Sequence, residues 1–100
     1  MTGYENEAHF ELITIRRVED RPLSPKWVLI AEMDVRIAGI RICDARLVRN
    51  SKTGYFQARM PPLQHKGGFT FHTENDYGLR QLRNVAVEAL SEAGLLDATA

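Results

Sequence analysis

One hundred residues make one ordinary domain rather than two, and 44% hydrophobic with 26% charged side chains is the usage of a chain that folds around its own core. A single cysteine, Cys43, excludes an intrachain disulfide framework and a cysteine-rich zinc site, and no run approaches the ~18 apolar residues that a membrane span needs. Thirteen basic residues balance thirteen acidic ones, which excludes a uniformly basic coat for nucleic acid.

Residues 1–8 show no periodicity and read as a flexible tail without a signal-peptide pattern, ahead of one domain over 9–100. A soluble cytoplasmic protein is the expectation. His9 to Val18 is rich in β-branched and aromatic residues and predicts a first strand. Asp20-Arg21-Pro22 and Ser24-Pro25 then predict a turn, because each proline disfavours helix in the residue before it. From Trp27 to Ile37 the alternation is clear: Trp27, Leu29, Ala31, Met33, Val35 and Ile37 share one face, and Glu32, Asp34 and Arg36 take the other. Period two with one dry face means an antiparallel strand.

Ala38-Gly39 breaks the pattern, and Ile40 to Arg49 resumes it with a slip of phase. A β-bulge near Ile42-Cys43-Asp44 would reconcile the two halves. A polar turn over Asn50 to Gly54 leads into a strand from Tyr55 to Met60, which Pro61-Pro62 ends. Leu63 to Gly68 reads as a loop and Phe69 to Thr73 as another short strand. From about Asn75 the period changes to three and four through Leu79, Leu82, Ala86, Ala89, Leu90 and Ala93, an amphipathic helix capped by Thr73 or Asn75 and stopped by Gly94. The expected fold is therefore α+β: a small twisted antiparallel sheet of about five strands with one C-terminal helix. One helix is too little to hide a whole sheet, so a homodimer is expected to cover a remaining face or edge.

The zero net charge conceals an uneven spread. Residues 16–66 hold eleven of the thirteen basic side chains and only five of the acids, so a basic middle lies between acidic ends. Ten of the thirteen cations are arginine, whose planar fork suits phosphate and stacks on bases. Solvated strand edges explain the same numbers equally well.

Catalysis finds little support. His9, His65 and His72 do not fall at metal-ligand spacing, and Cys43 lies mid-strand among apolar neighbours, where a buried, inert thiol is the usual state. No nucleophile elbow, phosphate loop or dinucleotide fingerprint is present, and Lys66-Gly67-Gly68-Phe69 is too short to cradle a nucleotide. Asp34 and Asp44 read as partners of arginines such as Arg36 or Arg46 rather than as paired catalytic acids. The expectation is a protein without enzymatic activity, metal or cofactor.

Nucleic-acid binding finds more. Lys52-Thr53-Gly54-Tyr55-Phe56-Gln57-Ala58 sets a cation, a glycine and two aromatics at the start of a strand, as an RNA-recognition motif does, although the two helices of that motif are absent. Tyr55 beside Arg59 would offer a stacking surface next to a charge. The alternative is that Phe56, Ala58 and Met60 face the core while Tyr55, Gln57 and Arg59 merely face water. Arg80 and Arg83 share one flank of the helix, either to grip phosphates or to extend the apolar stripe with their stems.

Ile42-Cys43-Asp44-Ala45-Arg46-Leu47-Val48, a polar turn, and Gly54-Tyr55-Phe56-Gln57-Ala58-Arg59-Met60-Pro61 together resemble the SpoVG-like proteins (stage V sporulation protein G, a septation regulator). Asp44 and Arg46 match the family's aspartate-apolar-arginine strand. Gly54, Phe56, Ala58, Met60 and Pro61 match its Gly-x-Phe-x-Ala-Met-Pro segment, with Arg59 inserted. The resemblance spans most of residues 9–94. It implies a twisted antiparallel sheet with a C-terminal helix, dimerisation through strands, and site-specific DNA or RNA binding. Family members place basic residues straight after Met-Pro; here Pro62, Leu63, Gln64 and His65 stand there, and the first lysine is Lys66.

The reading that results is a dimeric, non-enzymatic regulator that binds DNA or RNA through Arg46, Arg49, Lys52, Tyr55, Arg59, Lys66, Arg80 and Arg83. Its rival is a protein-interaction module that pairs through a sheet edge, with its arginines tied up by Glu32, Asp34 and Asp44. One contiguous positive stripe favours the first, interleaved charges the second.

Overall fold

The computed structural model describes residues 10–61 and 76–96. Four strands, β1 (Glu11–Pro22), β2 (Trp27–Ile37), β3 (Ile40–Asn50) and β4 (Phe56–Arg59), form a sheet in the order β1-β2-β3-β4, each antiparallel to its neighbour. One helix, α1 (Asp76–Glu92), packs across one face, so the fold is α+β as expected. The expected strand at 69–73, the caps Thr73 and Asn75, and Lys66 lie outside the described residues, as does the tail.

β1 runs four residues further than the sequence predicts. Arg21 pairs with Leu29 and Pro22 with Val28, so the turn falls at Leu23–Lys26: Ser24-Pro25 turn as expected, whereas Asp20-Arg21-Pro22 stay in the strand. Proline is tolerated there because β1 borders only β2 among the described residues, and an outward-facing position has no ladder bond to lose. Ser24 closes the turn: its Oγ accepts from the backbone N–H of Lys26 and Trp27 at 3.2 and 3.1 Å. The β2–β3 hairpin turns on Ala38 and Gly39, with φ of 51° and 76°, the left-handed pair that matches the twist of the strands. At the far corner Asn50, almost fully buried, accepts from Lys52 and Thr53 N–H through Oδ1 at 2.8 and 3.1 Å.

Two further register shifts lie in the β1–β2 pairing, between Leu12 and Thr14 and between Arg17 and Arg21, but two bulges between β2 and β3 decide which side chains meet. The first is the expected one: Cys43 and Asp44 together oppose Asp34, between the pairs Met33–Ala45 and Val35–Ile42. Asp44 takes φ of 66°, a conformation that aspartate tolerates better than most, and its N–H donates to Asp34 Oδ1 at 3.3 Å. This kink turns Cys43 outward, so the thiol is exposed rather than buried as its apolar neighbours imply.

The second bulge corrects the reading of β2. Leu29 pairs with Val48 and Ala31 with Leu47, which leaves Ile30 as an extra residue. The phase of the strand therefore slips by one. Ala31, Met33 and Val35 keep the core face and Ile30 joins them, whereas Trp27 and Leu29 are transferred to the opposite face.

The core lies between the sheet and α1. Ile30, Ala31, Met33, Val35, Ala45, Leu47 and Ala58 meet Leu82, Ala86 and Leu90 of the helix, all essentially inaccessible. Each such leucine contributes about 1.5–3 kcal/mol relative to exposure. Leu82, Ala86 and Leu90 are three members of the stripe read from the sequence; Ala93 is exposed past the helix end. Gly94, at φ 73°, stops α1: its N–H donates to Ser91 O at 3.0 Å and that of Leu95 to Leu90 O at 2.8 Å, a Schellman ending. No basic residue stands in the last turn. Instead Arg17 of β1 donates from Nε to Leu95 O at 3.2 Å and from Nη1 to Ile30 O at 2.9 Å, tying the helix end to the sheet.

Candidate nucleic-acid interface

On the face away from α1, alternation along four strands gathers charged side chains into cross-strand rows. Arg16, Glu32, Arg46 and Arg59 form one row, Leu29, Val48 and Gln57 the next, and Trp27 pairs with Asn50 beyond it. On the other side of the arginine row come Thr14, Asp34 and the bulged Asp44, then Arg36 paired with Arg41.

The two ends of this face differ in kind. Around the bulge every arginine has a carboxylate: Asp34 holds Arg41 at 3.0 Å and Arg16 at 3.6 Å, Asp44 holds Arg16 at 3.2 Å, and Glu11 holds Arg36 at 3.2 Å. Asp34 is the centre of this lattice, its side chain only 13% exposed. The hydrogen bond from Arg41 holds the Asp34 carboxyl below the usual aspartate value, outweighing desolvation, with help from the Asp44 N–H and the charge of Arg16. The same bond raises Arg41 above its ordinary value. The aspartates thus do answer arginines, but Arg16 and Arg41 rather than Arg36 and Arg46.

At the other end the cations lack acids. The Arg59 guanidinium stacks over the Trp27 ring at 4.7 Å from its centroid, and the Lys26 ammonium stands 5.9 Å from it. Arg46 is the cross-strand neighbour of Arg59. Among the described residues neither Lys26, Arg46 nor Arg59 forms an ion pair, and Glu32 pairs with neither Arg16 nor Arg46. Arg59 Nε donates to the neutral amide oxygen of Gln57 at 2.8 Å. Burial, and after it the repulsion of Arg46, holds the Arg59 guanidinium below its ordinary value. Glu32 is the cross-strand partner of Arg46 but closes no ion pair with it, so two adjacent guanidinium groups stand here outside any salt bridge among the described residues.

A second cation–aromatic pair lies across β4, toward the helix. Arg83 sits 5.0 Å from the Tyr55 ring centroid and donates from Nη1 to the Tyr55 hydroxyl. Between β4 and α1 opens a cavity of about 320 Å³ with Phe56, Ala58 and Leu79 in its wall and Tyr55, Arg80 and Arg83 among its polar groups. An adjoining cavity of about 430 Å³ continues along α1 past Asn84 to Glu88.

The eight side chains named from the sequence therefore do not form the one contiguous stripe expected of a nucleic-acid binder, and at one end of the face cations interleave with carboxylates. Arg46 and Arg59 meet on the sheet face; Tyr55, Arg80 and Arg83 meet in the groove; Lys52 stands exposed on the turn at the corner between them. Arg49 faces the helix side and is held by Asp20 at 3.4 Å, which also holds Arg17 at 2.8 Å. Lys66 lies outside the described residues. Sequence reasoning missed Trp27 and Lys26. The signal was present in Val28-Leu29-Ile30, three apolar residues in succession that interrupt the alternation.

The frame is thus a four-stranded antiparallel meander backed by one helix, with an arginine-rich face opposite α1 whose middle row, Leu29 and Val48, is itself inaccessible. Comparison with known proteins finds no family model, no curated protein and no solved structure that matches this chain. Among the described residues no group of three His, Cys, Asp or Glu side chains is placed to hold a metal ion, and no helix is long and apolar enough to cross a membrane.

Proposed function

We propose that this protein is a non-enzymatic nucleic-acid-binding regulator that holds single-stranded DNA or RNA on the sheet face opposite α1 and acts as a homodimer. The observation that carries the reading is the Trp27–Arg59 stack beside Arg46, an aromatic ring with cations that form no ion pair among the described residues. Single strands present base faces for stacking and phosphates for arginine, whereas a duplex hides the base faces. The function implied by the SpoVG-like resemblance runs the same way. A second copy would give a partner to a sheet edge, β1 or β4 among the described residues.

Trp27 is the only tryptophan in the chain, so its fluorescence reports on the site directly. Titration with a labelled single-stranded oligonucleotide at low and moderate salt is expected to quench Trp27 and raise anisotropy together. Affinity should fall with salt at a log–log slope of about 0.7 per phosphate engaged. No quenching and no anisotropy change at low salt would remove the reading.

The ion-paired end of the same face favours a second reading, a protein-interaction module, because interleaved charges suit a complementary protein surface better than a polyanion. Charge reversal at Arg36 and Arg41 that disrupts self-association without touching oligonucleotide binding would assign that end to the dimer.

A further inference from the structure

We infer that the groove between β4 and α1 is a separate site for one nucleoside monophosphate unit, with the base against Phe56, Leu79 and the Tyr55–Arg83 stack and the phosphate on Arg80 and Arg83. The inference extends the nucleic-acid reading by giving the second cation–aromatic pair a ligand of its own.

The cavity, about 320 Å³, is within the range of small-ligand pockets and is mixed in character. Its apolar wall comes from Phe56, Ala58 and Leu79, which are partly or fully buried members of the core or its margin. That wall suits a planar, weakly polar body. The Tyr55 ring is 54% exposed and already carries a guanidinium at stacking distance, so a flat surface stands ready at the mouth. The charge is one-sided. Arg80 and Arg83 stand three residues apart on α1, hence on one flank, and neither forms an ion pair among the described residues. The hydrogen bonds of Arg83 go to neutral oxygens, those of Asn84 and Tyr55. Two guanidinium forks match a dianionic phosphate better than a single carboxylate. Glu88, which lines the adjoining cavity, would repel an anion, so the phosphate belongs at the Arg80 end and the base toward Tyr55.

The unit can arrive free or as one residue of a bound strand, and the two sources are separable. Adenosine monophosphate, adenosine and inorganic phosphate are titrated separately into the full-length protein, with amide and arginine side-chain NMR shifts and Trp27 fluorescence as readouts. The expected result is that the monophosphate shifts Tyr55, Arg80 and Arg83 and leaves Trp27 emission unchanged, while adenosine and phosphate alone bind at least ~10-fold more weakly. Arg83→Gln should weaken the monophosphate by ~10-fold, and Arg80→Gln, on an exposed position, should do so with no loss of folding. If the free monophosphate competes with a labelled oligonucleotide, the unit belongs to the strand; if both bind together, the groove takes a free nucleotide. Equal binding of phosphate alone, or shifts confined to Trp27, overturns the inference. Failure of the monophosphate with intact quenching of Trp27 by oligonucleotide sinks the groove and spares the sheet face; the reverse outcome spares the groove alone.

Discussion

The two ends of the sheet face opposite α1 use the same residue type to opposite effect. Near the Cys43–Asp44 bulge, Arg16, Arg36 and Arg41 each find a carboxylate, and the patch is close to neutral. Near Trp27, Arg46 and Arg59 have each other and an indole. The number of arginines on a strand therefore says little about what the strand attracts. What matters is whether the side chains that the register brings together close an ion pair: Glu32 stands opposite Arg46 in the same row and pairs with neither it nor Arg16. Here one bulge supplies Asp44 to the first patch, and another moves the apolar Trp27 and Leu29 into the second.

That contrast can be broken from its strong side first. Replacing Trp27 by Ala should reduce single-strand affinity by about tenfold or more, since base–aromatic stacking is worth roughly 1–3 kcal/mol per base. Trp27→Phe, read by anisotropy, should restore much of it and so separate stacking from folding. Gln57→Glu puts a carboxylate where the Arg59 hydrogen bond now ends, converting the unpaired end into a copy of the paired one. Affinity should drop several-fold and the salt slope should fall by about one phosphate. Unchanged binding in that variant would mean that Arg59 does not meet the ligand. Arg46→Gln is expected to act more mildly, lowering the slope by about 0.7 with a uniform loss across sequences.

The smallest effect on binding belongs to the paired end. Arg41→Gln should leave oligonucleotide affinity unaltered and instead release the Asp34 carboxyl toward its ordinary value, visible as an upward move of its carboxyl titration by NMR. The sign follows from linkage. A carboxylate whose pKa is lowered on folding stabilises the native state above its unfolded pKa, and that contribution fades as pH falls through the lowered folded value. The wild-type chain should therefore lose this part of its stability only in acid, below the ordinary aspartate range, and the Arg41→Gln chain should show less of that acid sensitivity.

Much of this architecture was legible beforehand, for identifiable reasons. The span of β2, the end of α1 at Gly94 and the bulge at Cys43–Asp44 all follow from local periodicity, which is carried within a few residues. The fate of Trp27 was not, because a period-two reading assumes an uninterrupted strand and Ile30 interrupts it. Arg49 follows Arg46 by three positions, which along a strand is the opposite face, and its partner Asp20 lies 29 residues away, beyond the reach of local pattern. Cys43 was read as buried from its neighbours, whereas the bulge that the same residues create points it outward. Local pattern gives elements; pairing between distant segments gives sites.

The tie between Arg17 and Leu95 has a bearing on how the chain comes to be folded at all. Among the described residues the four strands pair only with their neighbours in sequence, so the meander can zip up as it leaves the ribosome. The helix cannot join until residues 78 positions apart are both available. Until then Met33, Ala45 and Leu47 form a bare oily floor on a half-built molecule. Synthesis passes through a window in which the newborn sheet is sticky, and a stall before α1 would leave it in the state most prone to aggregate or to recruit a chaperone.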